Sequence, residues 1–213
     1  PNLLNNKFSK GVIFSCIAAV FWGLPQPLFF NELNHVETIE VVAHRGFWSF
    51  IFLFLLLILV SNLSDFIEIF KSRKRIFILT ITAFLIAGNW AGFIYSVGQE
   101  RVQDASMGYF ITPMISIILG YFFLNEKITK PKFASVCLMF LGILFLFINL
   151  NQFPFLIIWI GTSWAIYGLL RKQVNVNPSI GLLYETFIIS LISIPYLVYL
   201  FLQNENSIFS IDI

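Results

Sequence analysis

A charged side chain is costly inside a long apolar stretch and usually serves a function there, and three such candidates stand out in this sequence. His44 and Arg45 stand side by side near the start of the second stretch, and Glu185 lies near the start of the last. We consider all three as gate candidates. His44 and Arg45 fit an outward gate or an anion-attracting entrance, and Glu185 fits a proton-linked or cation-contacting group. The alternative for each is an interfacial position, with the polar end of the side chain reaching water at the membrane surface.

A second set of candidates is uncharged and mostly aromatic, which suits contact with amphiphilic metabolites or drugs better than with sugars. The candidates for a substrate pathway are Trp22, Asn89, Trp90, Tyr95, Tyr109, Trp164 and Tyr167. Asn89 lies mid-stretch and fits either an inter-helix hydrogen bond or a substrate contact. Trp164 and Tyr167 fit either a cavity wall or ordinary packing.

Catalytic chemistry finds little support in the sequence. It contains no Gly-x-Ser-x-Gly, His-Glu-x-x-His or phosphate-binding loop, and none of its three Asp residues falls in an apolar stretch. Cys16 and Cys137 both lie in apolar stretches and are interpreted as small packed hydrophobes. We therefore predict no catalytic residue, no metal site, no cofactor and no enzymatic activity, with an intramembrane enzyme as a remote alternative.

Seven apolar stretches account for most of the chain, which is 58% hydrophobic and only 11% charged. Each is long enough to cross about 30 Å of hydrocarbon, and in lipid each must be a helix to satisfy its backbone. We predict an all-α polytopic membrane protein whose sequential helices pack as antiparallel neighbours. The predicted spans are 11–30, 39–60, 76–97, 105–124, 131–149, 153–170 and 180–202.

Basic residues occupy alternate gaps between these spans, and basic loops stay in the cytoplasm. The basic gaps contain Lys7 and Lys10, then Lys71, Arg73, Lys74 and Arg75, then Lys127, Lys130 and Lys132, then Arg171 and Lys172. The N-terminus is therefore predicted to be cytoplasmic. Because these residues flank spans and form no contiguous patch, the net charge of +2 does not indicate a nucleic-acid partner.

Small residues recur at every fourth position in two of the spans. They are Gly88, Gly92 and Ser96 in the third span, and Gly108, Thr112, Ser116 and Gly120 in the fourth. Such stripes let helix backbones approach closely. They fit plain helix packing, or packing combined with the lining of a cavity.

A weak internal repeat relates the two ends of the chain. The segment 38–45 matches 179–186 in hydrophobic pattern, and Trp22 and Trp164 lie at similar distances upstream. The offset corresponds to five helices, and because five is odd the second copy would enter the membrane from the opposite side. We predict a first five-helix repeat over 1–150 and the first two helices of an inverted second repeat over 151–213.

Several motifs appear in an order typical of one family. They are Ala43-His44-Arg45, Gly88-Asn89-Trp90, the run 108–113 (GYFITP), the run 123–127 (FLNEK) and the run 167–172 (YGLLRK). Through these motifs the chain resembles the RarD-type permeases of the EamA, or drug/metabolite transporter, superfamily. It departs from them at Asn31, where a Lys is common, and at Asn125, where a Gly is common.

The resemblance implies ten helices in two inverted five-helix repeats, so the chain is expected to stop after the seventh. It further implies a secondary transporter of drugs or metabolites that works by alternating access in the bacterial cytoplasmic (inner) membrane. The expected partners are a small-molecule substrate and the lipid bilayer, and a monomer is compatible with the sequence. A non-transporting structural or signalling membrane protein is the alternative function.

Overall fold

The protein is described by a computed structural model that covers residues 7–60, 64–148 and 154–203. These ranges contain helices and connecting turns and no strand. The helices are α1 (Lys7–Gly23), α2 (Pro25–Glu32), α3 (Thr38–Val60), α4 (Ser64–Phe70), α5 (Arg73–Gly98), α6 (Val102–Leu124), α7 (Lys130–Ile148), α8 (Phe155–Val174) and α9 (Pro178–Gln203).

Six stretches of helix are long and apolar enough to cross a membrane. They are Lys10–Glu32, Thr38–Leu59, Arg73–Gly98, Val102–Leu124, Lys130–Ile148 and Pro178–Gln203. The predicted span 153–170 corresponds to α8, which has the length, at 20 residues, but is not among the six. Thr162, Ser163, Arg171 and Lys172 lower its hydropathy, and a helix that packs against both α5 and α6 needs no continuous apolar surface. The prediction of seven apolar spans therefore holds for six.

The first predicted span is interrupted. Helix α1 ends at Gly23 and α2 begins at Pro25, because a proline inside a helix removes a backbone hydrogen bond and clashes with the preceding turn. The other predicted boundaries agree with the helices to within a few residues, although the span ends placed at 149 and 153 lie outside the described residues.

One helix was not predicted. The short helix α4 lies in the basic connection between α3 and α5, with Ile69 fully buried. Ser72 then caps α5 by accepting a hydrogen bond from the backbone N–H of Arg75 at 3.4 Å. Arg73 through Arg75 therefore form the first turn of a helix and not a loop, although a cation is unfavourable at a helix N-terminus.

The helices pack mainly against partners that are distant in the sequence. The most extensive interfaces join α6 to α8, α3 to α9 and α5 to α8, none of them sequential. Helices α6 and α8 run parallel, since Gly108 meets Ile157 while Thr112 lies next to Gly161. The sequential spans α3 and α5, α5 and α6, and α6 and α7 are also in contact, but these interfaces are smaller, because the shapes of the helix faces determine pairing more strongly than the short connections do.

Small residues explain these interfaces. A Cβ atom on Gly161 would lie 2.7 Å from the carbonyl oxygen of Gly108, so α6 and α8 can approach this closely only with glycine at the contact. Gly88 and Gly92 make room for the ring of Trp159, whose indole N–H donates a 3.0 Å hydrogen bond to the carbonyl oxygen of Gly88. The small-residue stripes therefore act in close helix packing, as predicted.

Candidate functional site

An aromatic cavity of about 490 Å³ lies between α1, α2, α5, α6 and α8. Trp22, Tyr109 and Trp164 form its wall, with ring centroids 5.3 Å apart for Trp22 and Tyr109 and 5.6 Å apart for Trp22 and Trp164. Gly23 and Pro27, which flank the break between α1 and α2, also line the cavity. Three of the predicted pathway residues thus meet at one site.

Asn89 holds one wall of this cavity in place. The Tyr109 hydroxyl donates a hydrogen bond to Asn89 Oδ1 at 2.8 Å. The amide nitrogen of Asn89 donates to the carbonyl oxygen of Ile160 and to Ser163 Oγ, both at 2.9 Å. Asn89 is buried and does not line the cavity, so the structure places it in the inter-helix hydrogen bond that was one of its two predicted roles.

Tyr167 connects the cavity wall to a buried carboxylate. Its ring stacks on Trp164 at 5.1 Å and 15°, and its hydroxyl donates to Glu185 Oε2 at 3.1 Å. Thr82 donates to the other oxygen, Glu185 Oε1, at 2.6 Å. Glu185 is 0% exposed, so the predicted alternative of an interfacial carboxylate was wrong, because the bundle surrounds it with hydrogen-bond donors.

Arg171 completes this carboxylate cluster. Its Nε lies 3.6 Å from Glu185 Oε1, and its Nη2 donates to the carbonyl oxygen of Pro178 at 3.0 Å. The side chain is only 12% exposed. Gly181 makes room for it, because a Cβ atom there would collide with the guanidinium.

Sequence reasoning missed Arg171 and Thr82 as members of the site. Arg171 was counted with the cytoplasmic basic residues, and Thr82 is one small polar residue in a long apolar helix. A usable signal was present for Arg171, since it lies one helical turn after Tyr167 and Gly181 lies one turn before Glu185.

Arg45 lies among aromatic rings elsewhere in the bundle. Its guanidinium carbon is 4.2 Å from the centroid of Trp90 and 5.5 Å from that of Phe30. Its Nη1 is buried and has no hydrogen-bond partner among the described residues. Trp90 is therefore a partner of Arg45 and not part of the cavity wall. His44 is half-buried beside it on α3.

The two charged positions lie at different depths along α5. Glu185 contacts Thr82 and Arg45 contacts Trp90, and these two α5 residues are separated by about 12 Å at a rise of about 1.5 Å per residue. Tyr95 stands apart from both positions, because it is 44% exposed and lines a different cavity of about 850 Å³. It is the one predicted pathway residue without contact to the aromatic cluster or to Arg45.

A surface ion pair joins the connection after α6 to the end of α8. Lys172 donates a hydrogen bond to Glu126, and this bond together with the lysine charge lowers the pKa of Glu126 below its usual value. The described ranges contain no group of three or more His, Cys, Asp or Glu residues that could hold a metal ion.

Comparison of the sequence with known proteins indicates a family. The model of the EamA-like transporter family matches residues 9–148. The chain belongs to this family. An "Uncharacterized transporter" of Vibrio cholerae is 32% identical over 90% of the chain and 63% of its own length. "Protein RarD" of Escherichia coli is 33% identical over 83% of the chain and 60% of its own length.

A third relative, "Uncharacterized transporter YojE" of Bacillus subtilis, is 31% identical over 89% of the chain and 64% of its own length. The chain thus spans 60–64% of the length of these three relatives. No solved structure matches the chain significantly. The resemblance to RarD-type permeases is supported by these relatives, two of which carry the word transporter in their names.

Proposed function

We propose that the protein is a secondary transporter that moves small organic solutes, drugs or metabolites across the bacterial cytoplasmic membrane by alternating access. The observation that carries the proposal is the meeting of Trp22 and Trp164, one from each proposed repeat, in the wall of one cavity. The repeats are 1–150 and 151–213, inverted with respect to each other, with a cytoplasmic N-terminus. A site at the junction of two inverted repeats is where transporters of this kind bind solute.

The helices around the cavity contain points at which they can bend. Pro25 and Pro27 interrupt the first span, and Pro113 lies inside α6 and lines the cavity. Helix bends at prolines are tolerated where protein or a water-filled cavity satisfies the freed backbone groups. Rocking of α1 and α6 about these points would open the cavity toward one side of the membrane at a time.

The two charged positions are proposed as gates on opposite sides of this cavity. Arg45 is assigned to the outer gate together with His44, and Glu185 with Arg171 to the inner gate. Tyr167 supports the inner assignment, because it touches both Trp164 in the cavity wall and Glu185 in the cluster. A solute that displaces Trp164 would therefore change the surroundings of the carboxylate.

Counterflow in proteoliposomes tests the transport function. A panel of amphiphilic aromatic compounds is first ranked by thermal stabilisation of the purified protein, and the best compound is radiolabelled. We expect saturable counterflow that is lost in Trp164→Ala. The matched control is Trp48→Ala, because Trp48 is 56% exposed and lies outside the cavity wall. Absence of saturable counterflow for every ranked compound would support the structural or signalling alternative.

A further inference from the structure

Arg45 Nη1 is a buried donor that has no hydrogen-bond partner among the described residues. Among the described residues, no carboxylate forms an ion pair with Arg45 within 4.0 Å. Two other arginines do have such ion pairs, Arg101 with Asp104 and Arg171 with Glu185. The faces of Trp90 and Phe30 attract a cation but accept no hydrogen bond. A buried N–H without an acceptor is costly, so a further partner that accepts this bond and has a negative charge would stabilise the half-buried Arg45 side chain.

Aromatic contacts connect Arg45 to the cavity. Phe30 packs edge-on against Phe93 at 6.1 Å, and Phe93 packs against Tyr109 at the same separation. Both Phe93 and Tyr109 line the cavity. Along these contacts one ring, that of Phe30, separates Arg45 from the cavity lining.

The cavity itself offers nothing that would prefer a cation by charge. Its lining is uncharged and contains the hydroxyl groups of Ser106, Tyr109 and Thr112 among aromatic and aliphatic groups. The nearest carboxylate along the contacts described above is Glu185, which is reached through Trp164 and Tyr167 and already lies beside Arg171. Glu40, five residues before Arg45 on α3, is a further buried carboxylate but does not line the cavity. Of the charged groups that these aromatic contacts connect to the cavity, Glu185 already has a cationic partner in Arg171, whereas Arg45 has a buried N–H without an acceptor, so an anion suits the cavity better than a cation does.

We propose that the solute of this transporter is an organic anion, a carboxylate attached to an aromatic body, with Arg45 as the residue that recognises the carboxylate. The aromatic body would lie between the rings of Trp22, Tyr109 and Trp164, and the carboxylate would approach the side of the cavity formed by Phe93. This inference rests on the proposed transport function and specifies its substrate class.

Matched triplets of probes test the charge preference. Each triplet shares one aromatic body and differs only in charge, as in indole-3-acetate, indole-3-acetamide and tryptamine, or benzoate, benzamide and benzylamine. Binding to the purified protein is measured by tryptophan fluorescence and by thermal stabilisation. We expect the carboxylate of at least one triplet to bind at least tenfold more tightly than its amide, which corresponds to about 1.4 kcal/mol, and the amine to bind least.

The variants Arg45→Gln and Arg45→Lys assign this preference to one residue. Arg45→Gln should abolish the difference between carboxylate and amide, while Arg45→Lys should keep part of it. Arg101→Gln is the control for loss of a positive charge, because Arg101 is exposed and pairs with Asp104. Circular dichroism and gel filtration show whether Arg45→Gln is folded. If Arg45→Gln does not fold, the partial preference expected for Arg45→Lys still tests the role of this residue.

Three results would overturn the anion proposal. They are equal or tighter binding of the amides or amines, binding of no carboxylate in any triplet, and a preference for carboxylates that survives Arg45→Gln. Failure of the transport proposal is distinguished by counterflow, because saturable counterflow of a neutral or cationic compound would leave a transporter with a different substrate class.

Discussion

The Tyr167 hydroxyl donates a hydrogen bond to Glu185 Oε2 at 3.1 Å, and the same ring stacks on Trp164 at 5.1 Å. One side chain therefore touches both the wall of the aromatic cavity and the buried carboxylate cluster. Trp164 and Tyr167 are on α8 and Glu185 is on α9. Movement of α8 relative to α9 would carry Trp164 and Tyr167 together and alter the hydrogen bond to Glu185, which links the position of the cavity wall to the carboxylate cluster.

Tyr167→Phe removes the hydrogen bond and retains the stacked ring. We expect it to lower the free energy of unfolding by about 1–2 kcal/mol, because a buried carboxylate loses one of its donors. The measurement is the unfolding midpoint in detergent. Tyr95→Phe is the matched control, since Tyr95 is 44% exposed and should give no comparable shift. Equal shifts for the two variants would contradict the importance of the bond to Glu185.

Two neighbouring basic residues, Arg171 and Lys172, should differ strongly in their effect on stability. Arg171→Gln leaves Glu185 buried without its cation and should destabilise the protein by about 3 kcal/mol or more. Lys172→Gln removes an equal charge from a side chain that is 61% exposed and should change stability little. Both are compared by urea titration of the purified protein.

The double variant Arg171→Gln with Glu185→Gln separates charge from shape in the same cluster. Neutralising both partners leaves no uncompensated buried charge, so the double variant should be more stable than Arg171→Gln alone. A double variant that is no more stable than Arg171→Gln would show that the guanidinium acts by packing against Gly181 and not by its charge.

Gly161→Ala tests the close contact between α6 and α8. The added methyl group would meet the backbone of α6 at Gly108, and backbone cannot move aside as a side chain can, so a loss of about 1–3 kcal/mol is expected. Gly142→Ala is the control within another helix, because nothing lies within 4 Å of its added Cβ. Thermal unfolding of the two variants side by side gives the comparison. Unchanged stability of Gly161→Ala would mean that α6 and α8 are further apart at this contact than the structure shows.

Local sequence predicted the helices and part of the site well. Long apolar stretches specify where helices run, and Trp22 and Trp164, two of the candidates for the pathway, do lie together in one cavity wall. The break before Pro25 has a local cause, yet the prediction treated residues 11–30 as one uninterrupted span. The short helix α4 was missed, because seven residues with one buried side chain give no clear periodicity.

Long-range features could not be read from the sequence. The pairing of α6 with α8 depends on Gly108 and Gly161 facing each other, and neither glycine identifies its partner. Arg171 was assigned to the cytoplasmic surface by its place at the end of a span, yet its side chain turns back to Pro178 and Glu185. The sequence locates a charge along a helix but does not show what surrounds it.

The orientation follows from the basic connections and can be tested with single cysteines in a background without Cys16 and Cys137. Cysteines at Lys71 and Lys130 should be shielded from an impermeant thiol reagent added outside intact cells, and one at Asn34 should react. All three positions are exposed, so a lack of reaction reports sidedness and not burial. Reaction of Lys71→Cys from outside would reverse the proposed topology.

The ion pair between Glu126 and Lys172 should make a pH-dependent contribution at the surface. Lys172 holds the pKa of Glu126 below its usual value, so the pair stabilises the folded protein above that usual value. The contribution is lost as pH falls through the lowered pKa, because the carboxylate becomes protonated.

Lys172→Gln should raise the pKa of Glu126 toward its usual value, as measured by NMR titration of ¹³C-labelled glutamate carboxyl groups. Lys127→Gln, which removes a nearby exposed charge with no bond to Glu126, should raise it less. Added salt should shrink the difference between the two variants, and a pKa unaffected by Lys172→Gln would show that the pair does not persist in solution.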